Sequence, residues 1–233
     1  MGSRRNGLGR GVPAACGKRL RFVVTAGPTR EHLDPVRFLS NPSTGKMGFA
    51  VARAAARRGH DVTLVAGPVA LRTPRGVRRV DVVSARDMLA AVERALVRQA
   101  PGTVFVSTAA VADWRPATCA ARKLKKGRMS GALRLVRNPD ILKTVARRAR
   151  PGAVFVGFAA ETHDVLAEAR RKCREKRLDM VVANDVSERG SGFGTDTNRV
   201  AFVRADGSVE RLPLMTKLAV AGRIVRACEG LCA

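Results

Sequence analysis

Tyrosine is missing from all 233 residues, tryptophan occurs once, and aromatic residues make up only 4% of the chain. Proteins that grip single-stranded nucleic acid stack bases on aromatic rings, and this sequence offers few such platforms. Histidine is scarce as well, with three copies. The cysteines (Cys16, Cys119, Cys173, Cys228 and Cys232) have neither C-x-x-C spacing nor the density of a secreted disulfide scaffold, so reduced thiols and a cytoplasmic setting are expected. No stretch approaches the length of apolar sequence that a membrane-spanning helix needs, so no membrane partner is expected.

Acid is the other shortage. There are 19 Asp and Glu against 44 Lys and Arg, a net charge of +25, and most of the bases are arginine. Such an excess raises the reading of a basic nucleic-acid-binding protein. The arginines are spread along most of the chain, however, many in helix-like runs such as Arg53, Arg57 and Arg58, and no nucleic-acid motif accompanies them. Solvated helix faces and an anionic substrate account for the charge, and no specific nucleic acid is expected. Residues 1–19 carry Arg4, Arg5, Arg10, Lys18 and Arg19 with no acid and no signal-peptide core; they read as a basic, disordered extension to a single domain over residues 20–230.

What is present is a core of ample size, with 45% hydrophobic residues. Short apolar runs alternate with helical periodicity, which predicts an α/β, Rossmann-like fold: a mostly parallel sheet flanked by helices. Residues 22–24, 61–66, 77–83, 103–107, 153–158 and 179–184 read as strands, and 85–99, 165–177 and 215–229 as helices. Asn138 is expected to cap a further helix, with Pro139 in its first position and Asp140 favourable to the dipole. Asp206-Gly207 signals a β-hairpin as a C-terminal extension. Residues 115–131 read as a mobile loop.

The organising stretch is residues 22–58, a strand, a long polar loop and a helix resuming at Gly45. A helix start presents unpaired N–H groups and a positive dipole end, so Ser43-Thr44-Gly45-Lys46 suits a phosphate; the plainer reading is a helix capped by Ser43 or Thr44. It is not a P-loop, because Met47 follows Gly45-Lys46 and Ser40 stands where the first glycine belongs, and residues 25–29 lack G-x-G-x-x-G. Loops 41–46, 107–113 and 158–162 all follow strands and should line one crevice. Asp113 suits Mg²⁺ or a nucleotide hydroxyl, or caps a turn. Lys123, Lys125 and Lys126 form either an exposed run or a lid over phosphates. Lys172 and Lys176, four apart on one helix face, either reach a ligand together or face water.

TAGPTREHLDPVRFLSNPSTGKMG, STAAVADWRP followed by KLKK, RNPDIL, VGFAAET, ANDV and GFGTDTN stand in this order over roughly residues 21–226. Together they resemble phosphopantothenate-cysteine ligase of the coenzyme A pathway, in a stand-alone bacterial form without the flavin-dependent decarboxylase to which it is often fused. A short-chain dehydrogenase shares the alternation and the Ser107-Thr108-Ala109 strand end, but it relies on a Tyr-x-x-x-Lys pair and tyrosine is absent.

The resemblance implies that 4'-phosphopantothenate is joined to L-cysteine with CTP and Mg²⁺, through an acyl-cytidylate, releasing pyrophosphate and CMP; the same ligase using ATP is the alternative. It assigns Lys123 to acyl-cytidylate formation and Asn41 to handling the intermediate. It places the nucleotide on Ser107, Thr108, Ala109, Asp113, Lys123, Pro139, Asp140, Ile141, Leu142, Phe158, Lys172 and Lys176. The phosphate and substrate positions are Asn41, Ser43, Thr44, Gly45 and Lys46, with Asp113 as the metal ligand. Thr44 replaces a usual serine, and Ser107-Thr108 stands where small apolar residues are common. Family members dimerise, with the Asp206-Gly207 hairpin as a contributor by analogy.

Overall fold

The computed structural model describes residues 18–125, 131–188, 190–192 and 194–233. In chain order its elements are β1 Arg21–Ala26, β2 Arg30–His32, β3 Phe38–Ser40, α1 Lys46–Arg57, β4 Asp61–Ala66, β5 Val77–Asp81, α2 Ala85–Leu96, β6 Thr103–Ser107, β7 Trp114–Pro116 and β8 Leu135–Arg137. There follow α3 Ile141–Ala146, β9 Val154–Glu161, α4 Val165–Lys176, β10 Met180–Asp185, β11 Thr197–Asn198, β12 Val200–Arg204, β13 Val209–Arg211, β14 Met215–Thr216 and α5 Lys217–Leu231.

The main sheet runs β13-β12-β10-β9-β6-β1-β4-β5. The pairs from β10 to β5 are parallel, and β12 and β13 add on in antiparallel register. The Asp206-Gly207 hairpin therefore completes the sheet edge. Strand periodicity divides the core in two. Phe22, Val24 and Ala26 of β1 pack on the side of α1 and α5, whereas Val23 packs on the other side with Met88, Val92 and Phe105. Phe105 and Phe155 meet edge to face at 6.0 Å between ring centres. Burying each such ring contributes about 1.5–3 kcal/mol.

Alanine-rich α1 buries Val51, Ala52, Ala54 and Ala55 and leaves Arg53 and Arg57 exposed, as its periodicity requires. α5 buries Val220, Ala221, Ile224, Val225 and Cys228 on the same layer. The chain leaves β1 for β4 on one side and returns to β6 on the other, so the sheet switches direction between β1 and β6. Ligand crevices open at such a switch, beyond the carboxyl ends of the strands.

Three local expectations change. α1 is preceded by Gly45 in a left-handed conformation (φ 76°) and no side chain caps it; the Ser43 hydroxyl accepts the N–H of Gly45 at 3.3 Å, outside the helix. The cap of α3 is Asp140, which accepts from the Lys143 N–H at 3.0 Å, two residues later than expected. Asn138 is engaged elsewhere: its side-chain N–H donates to the Ala112 carbonyl at 2.8 Å and its Oδ1 accepts from Arg115. Finally, much of the polar segments is ordered. β2 pairs with β3, and β7 pairs with β8, so only part of residues 115–131 is loop. Lys126 of the lysine run, Cys16, Phe193 and most of the basic extension lie outside the described residues.

The turn between β2 and β3 is built on Asp34, whose side chain is inaccessible to solvent. Its Oδ1 accepts the N–H groups of Val36 and Arg37, both at 2.8 Å. Its Oδ2 accepts the Arg37 guanidinium at 2.5 and 3.0 Å and the Leu124 N–H at 3.2 Å. Arg37 in turn donates to the Leu124 carbonyl at 2.9 Å. One buried carboxylate thus ties the hairpin to the segment that carries Lys123.

The Arg37 guanidinium, with these N–H donors, holds the Asp34 carboxyl well below the usual carboxylate range against the opposing effect of burial. A group whose folded pKa is depressed stabilises the fold above its unfolded value, about 4, and that contribution drains away as the pH falls below it. Asp34→Asn is therefore expected to lower the thermal midpoint at pH 7, with the gap to wild type narrowing at pH 3. Melting curves at the two pH values check this, and an equal gap at both contradicts it.

Candidate active site

Beyond the sheet, the chains leaving β1 and β6 continue side by side. The Ala110 N–H donates to the Gly27 carbonyl at 3.0 Å, and Pro28 bridges Ala110 in parallel. Threonine side chains, those of Thr25 and Thr29 buried, fix the rest. Thr108 Oγ1 donates to the Thr25 carbonyl at 2.5 Å, the Ala109 N–H donates to Thr25 Oγ1 at 3.3 Å, and the Ala112 N–H donates to Thr29 Oγ1 at 3.0 Å. Asn41 joins the same loop, its amide donating to the Ala110 and Val111 carbonyls at 3.1 and 3.2 Å.

The start of α1 is pressed against these strand ends. A Cβ at Gly48 would lie 2.4 Å from Thr108 Oγ1 and 2.5 Å from Ala26 Cβ, so only glycine admits this approach. With no side-chain cap, the first-turn N–H groups are left to whatever the crevice holds.

The crevice encloses about 120 Å³. Ser43, Thr44, Gly45 and Lys46 line it with Met47 and Gly48, and Thr108, Ala109, Ala110 and Phe158 come from the β6 and β9 ends. The expected convergence of three strand-end loops is thus present. Asn184, Gly192, Asn198 and Lys217 also line it and were not among the expected site residues. The Ser191 hydroxyl lies 2.5 Å from Asn184 Oδ1 and 2.7 Å from Asn198 Oδ1, all three residues buried. The ANDV and GFGTDTN stretches were the signal for this wall. Lys46 Nζ meets Asp196 Oδ1 at 2.7 Å and the Gly194 carbonyl at 3.3 Å, tethering the start of α1 to the same segment.

The remaining expected nucleotide residues form a second group at the same sheet edge. The Asn138 N–H donates to the Asp113 carbonyl at 2.8 Å, which sets the α3 entry beside the β6 loop. Lys176 reaches Asp140 Oδ2 at 2.7 Å, and Lys172 pairs with Glu161 at the end of β9. Lys172 thus faces the end of β9, and Lys176 faces the cap of α3. Ile141 and Leu142 are buried in the core, with Leu142 over Gly157, so only their backbone is offered to a ligand. Pro139 is half-buried and Ser107 closes β6. Asp113 is exposed and its carboxylate has no hydrogen bond among the described residues, which leaves it open to a cation and does not support a turn cap. Lys123 is exposed and outside the crevice lining, one residue from the tethered Leu124.

Among the described residues no group of three or more His, Cys, Asp or Glu is arranged to hold a metal ion. The described cysteines are free, and Cys173 and Cys228 are buried in the core, where burial pushes both thiols up. No helix among the described residues is long and apolar enough to cross a membrane.

Residues 17–231 match the family described as DNA/pantothenate metabolism flavoprotein C-terminal domain. The chain is 50% identical over 203 residues to the coenzyme A biosynthesis bifunctional protein CoaBC of Escherichia coli K12, covering 86% of this chain and 49% of that protein. It is 46% identical over 210 residues to the CoaBC protein of Bacillus subtilis 168, covering 90% and 51%. The chain thus spans about half the length of these curated relatives. A crystal structure of the C-terminal domain of CoaBC superposes with a TM-score of 0.77 at 41% identity, covering 93% of this chain and 97% of that one. Cab2 mutant H337A in complex with phosphopantothenate-cysteine shares the fold, with a TM-score of 0.75 at 16% identity over 91% of this chain and 87% of that one. With the match running through every strand of the main sheet and every loop of the crevice, the chain belongs to the DNA/pantothenate metabolism flavoprotein C-terminal domain family.

Proposed function

We propose that the protein is a phosphopantothenate-cysteine ligase acting in coenzyme A biosynthesis, with CTP as the activating nucleotide. The observation that carries this reading is the convergence of three strand-end loops and an uncapped helix start on one crevice, in a chain half identical to part of CoaBC. The substrate phosphate sits at the first-turn N–H groups of α1, with Ser43, Thr44 and Lys46 around it. The nucleotide lies along Ser107 to Asp113, Phe158 and the start of α3, with Lys172 and Lys176 balancing its charge.

In the first step the phosphopantothenate carboxylate attacks the α-phosphorus of CTP. A P–O bond forms, pyrophosphate leaves with its electron pair, and an acyl-cytidylate remains. In the second, the cysteine amine attacks the acyl carbon, CMP departs and the amine loses a proton. Both steps depend on charge neutralisation and alignment. Lys123 supplies a positive charge beside the triphosphate, from a segment anchored through Leu124 to Asp34. Asn41 holds the 110–111 carbonyls, and its amide turns an N–H from one of them toward an oxyanion that forms at the acyl carbon. Asp113 is the carboxylate that would hold Mg²⁺ together with the nucleotide phosphates, whose charge the ion would offset.

A homodimer belongs to the same proposal. The exposed apolar side chains Val36, Phe38, Trp114 and Leu135 on the β2–β3 and β7–β8 pairs support an interface there more than at the charged Asp206-Gly207 turn.

Purified protein given Mg²⁺, 4'-phosphopantothenate and CTP is expected to release pyrophosphate, and CMP once cysteine is added. Release with ATP but not CTP overturns the nucleotide choice, and release with neither overturns the ligase. Lys123→Gln is expected to lose pyrophosphate release, a drop on the order of a hundredfold or more for one charge-stabilising donor. Asn41→Asp removes the N–H donor and is expected to activate the acid yet stall before product. Normal turnover in both variants contradicts the assigned roles.

A further inference from the structure

Lys217 is the first residue of α5 and is only 6% exposed. Its stem packs between the crevice and an adjoining groove along α1, and its Nζ donates to the Gly192 carbonyl at 2.8 Å. Three features of the fold oppose a positive charge at this position. The site is buried, the Lys46 ammonium is nearby, and the N-terminus of α5 carries the positive end of the helix dipole. Burial first, then Lys46, pull the Lys217 pKa below its ordinary value, while Asp196, itself paired with Lys46, pulls it back. A basic residue that violates burial and dipole preference together, at the wall of a ligand crevice, points to a ligand of opposite charge.

We infer that Lys217 is a substrate-binding residue that closes the phosphate subsite from the α5 side and selects the phosphorylated substrate over its unphosphorylated counterpart. This rests on the ligase reading and adds to it a residue that determines specificity. The α1 start offers backbone N–H groups from one side; Lys217 adds a full charge from the other. A dianionic phosphate between them meets the helix start, Lys46 and Lys217 together and offsets the repulsion between the two ammonium groups. Pantothenate, lacking the phosphate, gains nothing from Lys217.

The test is steady-state turnover of Lys217→Gln with phosphopantothenate and with pantothenate, at saturating CTP and cysteine. Gln retains a donor for the Gly192 carbonyl, and Lys217→Met, which removes a buried charge while keeping the stem, serves if Gln does not fold. The expected result is a rise in KM for phosphopantothenate of roughly ten- to a hundredfold with little change in kcat, as for loss of a hydrogen bond to a charged group made equally in ground and transition states. The KM for CTP and any residual use of pantothenate should stay at the wild-type level, and Lys217→Arg should recover most of the affinity. An unchanged KM for phosphopantothenate, or equal losses for both substrates and CTP, overturns the inference. Absence of phosphopantothenate turnover in the wild-type protein instead overturns the ligase reading, so the two failures are distinct.

Discussion

The pairing of β1 with β6 is the constraint on which the rest depends. These adjacent parallel strands mark the point where the sheet reverses its direction of growth, and their backbones stay together beyond the last sheet hydrogen bond, through Gly27, Pro28 and Ala110. A loop normally buys freedom when it leaves a sheet; here Thr25 and Thr29 remove it by accepting the Ala109 and Ala112 N–H groups and the Thr108 hydroxyl. The crevice floor is therefore as fixed as the sheet. α1 then docks on that floor through Gly48, which sets how closely its N–H groups approach anything bound.

Around this fixed floor the walls are tied by longer reaches. Lys46 binds the 194–196 segment, Asn184 and Asn198 meet at Ser191, and Asp34 fastens the segment that bears Lys123. Electrostatics follows the same division. The buried acids Asp34 and Glu31 serve structure, the latter by accepting the Ala85 N–H at 2.8 Å, while Lys46 and Lys217 line the crevice. Most of the described arginines are exposed, on loops and strands as well as on helix faces such as those of Arg53 and Arg57, so net charge says less about the ligand than the few buried or tethered lysines do.

The parallel core was legible because its strands are apolar on both faces: the expected limits of β4 and β6 coincide with those observed. The small hairpins were not, because β2 and β3 have only three residues each and owe their order to Asp34 and its contact with Leu124, about 90 positions away, which no local pattern encodes. The α3 cap was misplaced for a related reason. Asn138 and Asp140 are both good caps, and what decides between them is that Ala112 and Arg115 claim Asn138. At the site, residues following strands could be grouped from sequence, since topology brings strand ends together. Lys217 could not, because it arrives from the last helix, where a lysine at a helix start reads as an ordinary surface position. Several residues of the TAGPTRE stretch, Thr25, Thr29 and Glu31 among them, turned out to hold the crevice in shape from buried positions.

The proposed ligase chemistry requires the α1 start to be the phosphate end of a single crevice that continues toward α3 as the nucleotide end. A crystal structure of the protein with 4'-phosphopantothenate bound tests it most directly. The phosphate is expected within hydrogen-bond distance of the Lys46 to Gly48 backbone N–H groups, with the carboxylate pointing toward Asp113 and the α3 entry. A phosphate bound instead at the α3 entry or on the exposed arginines of α1, with the α1 start left vacant, would contradict it.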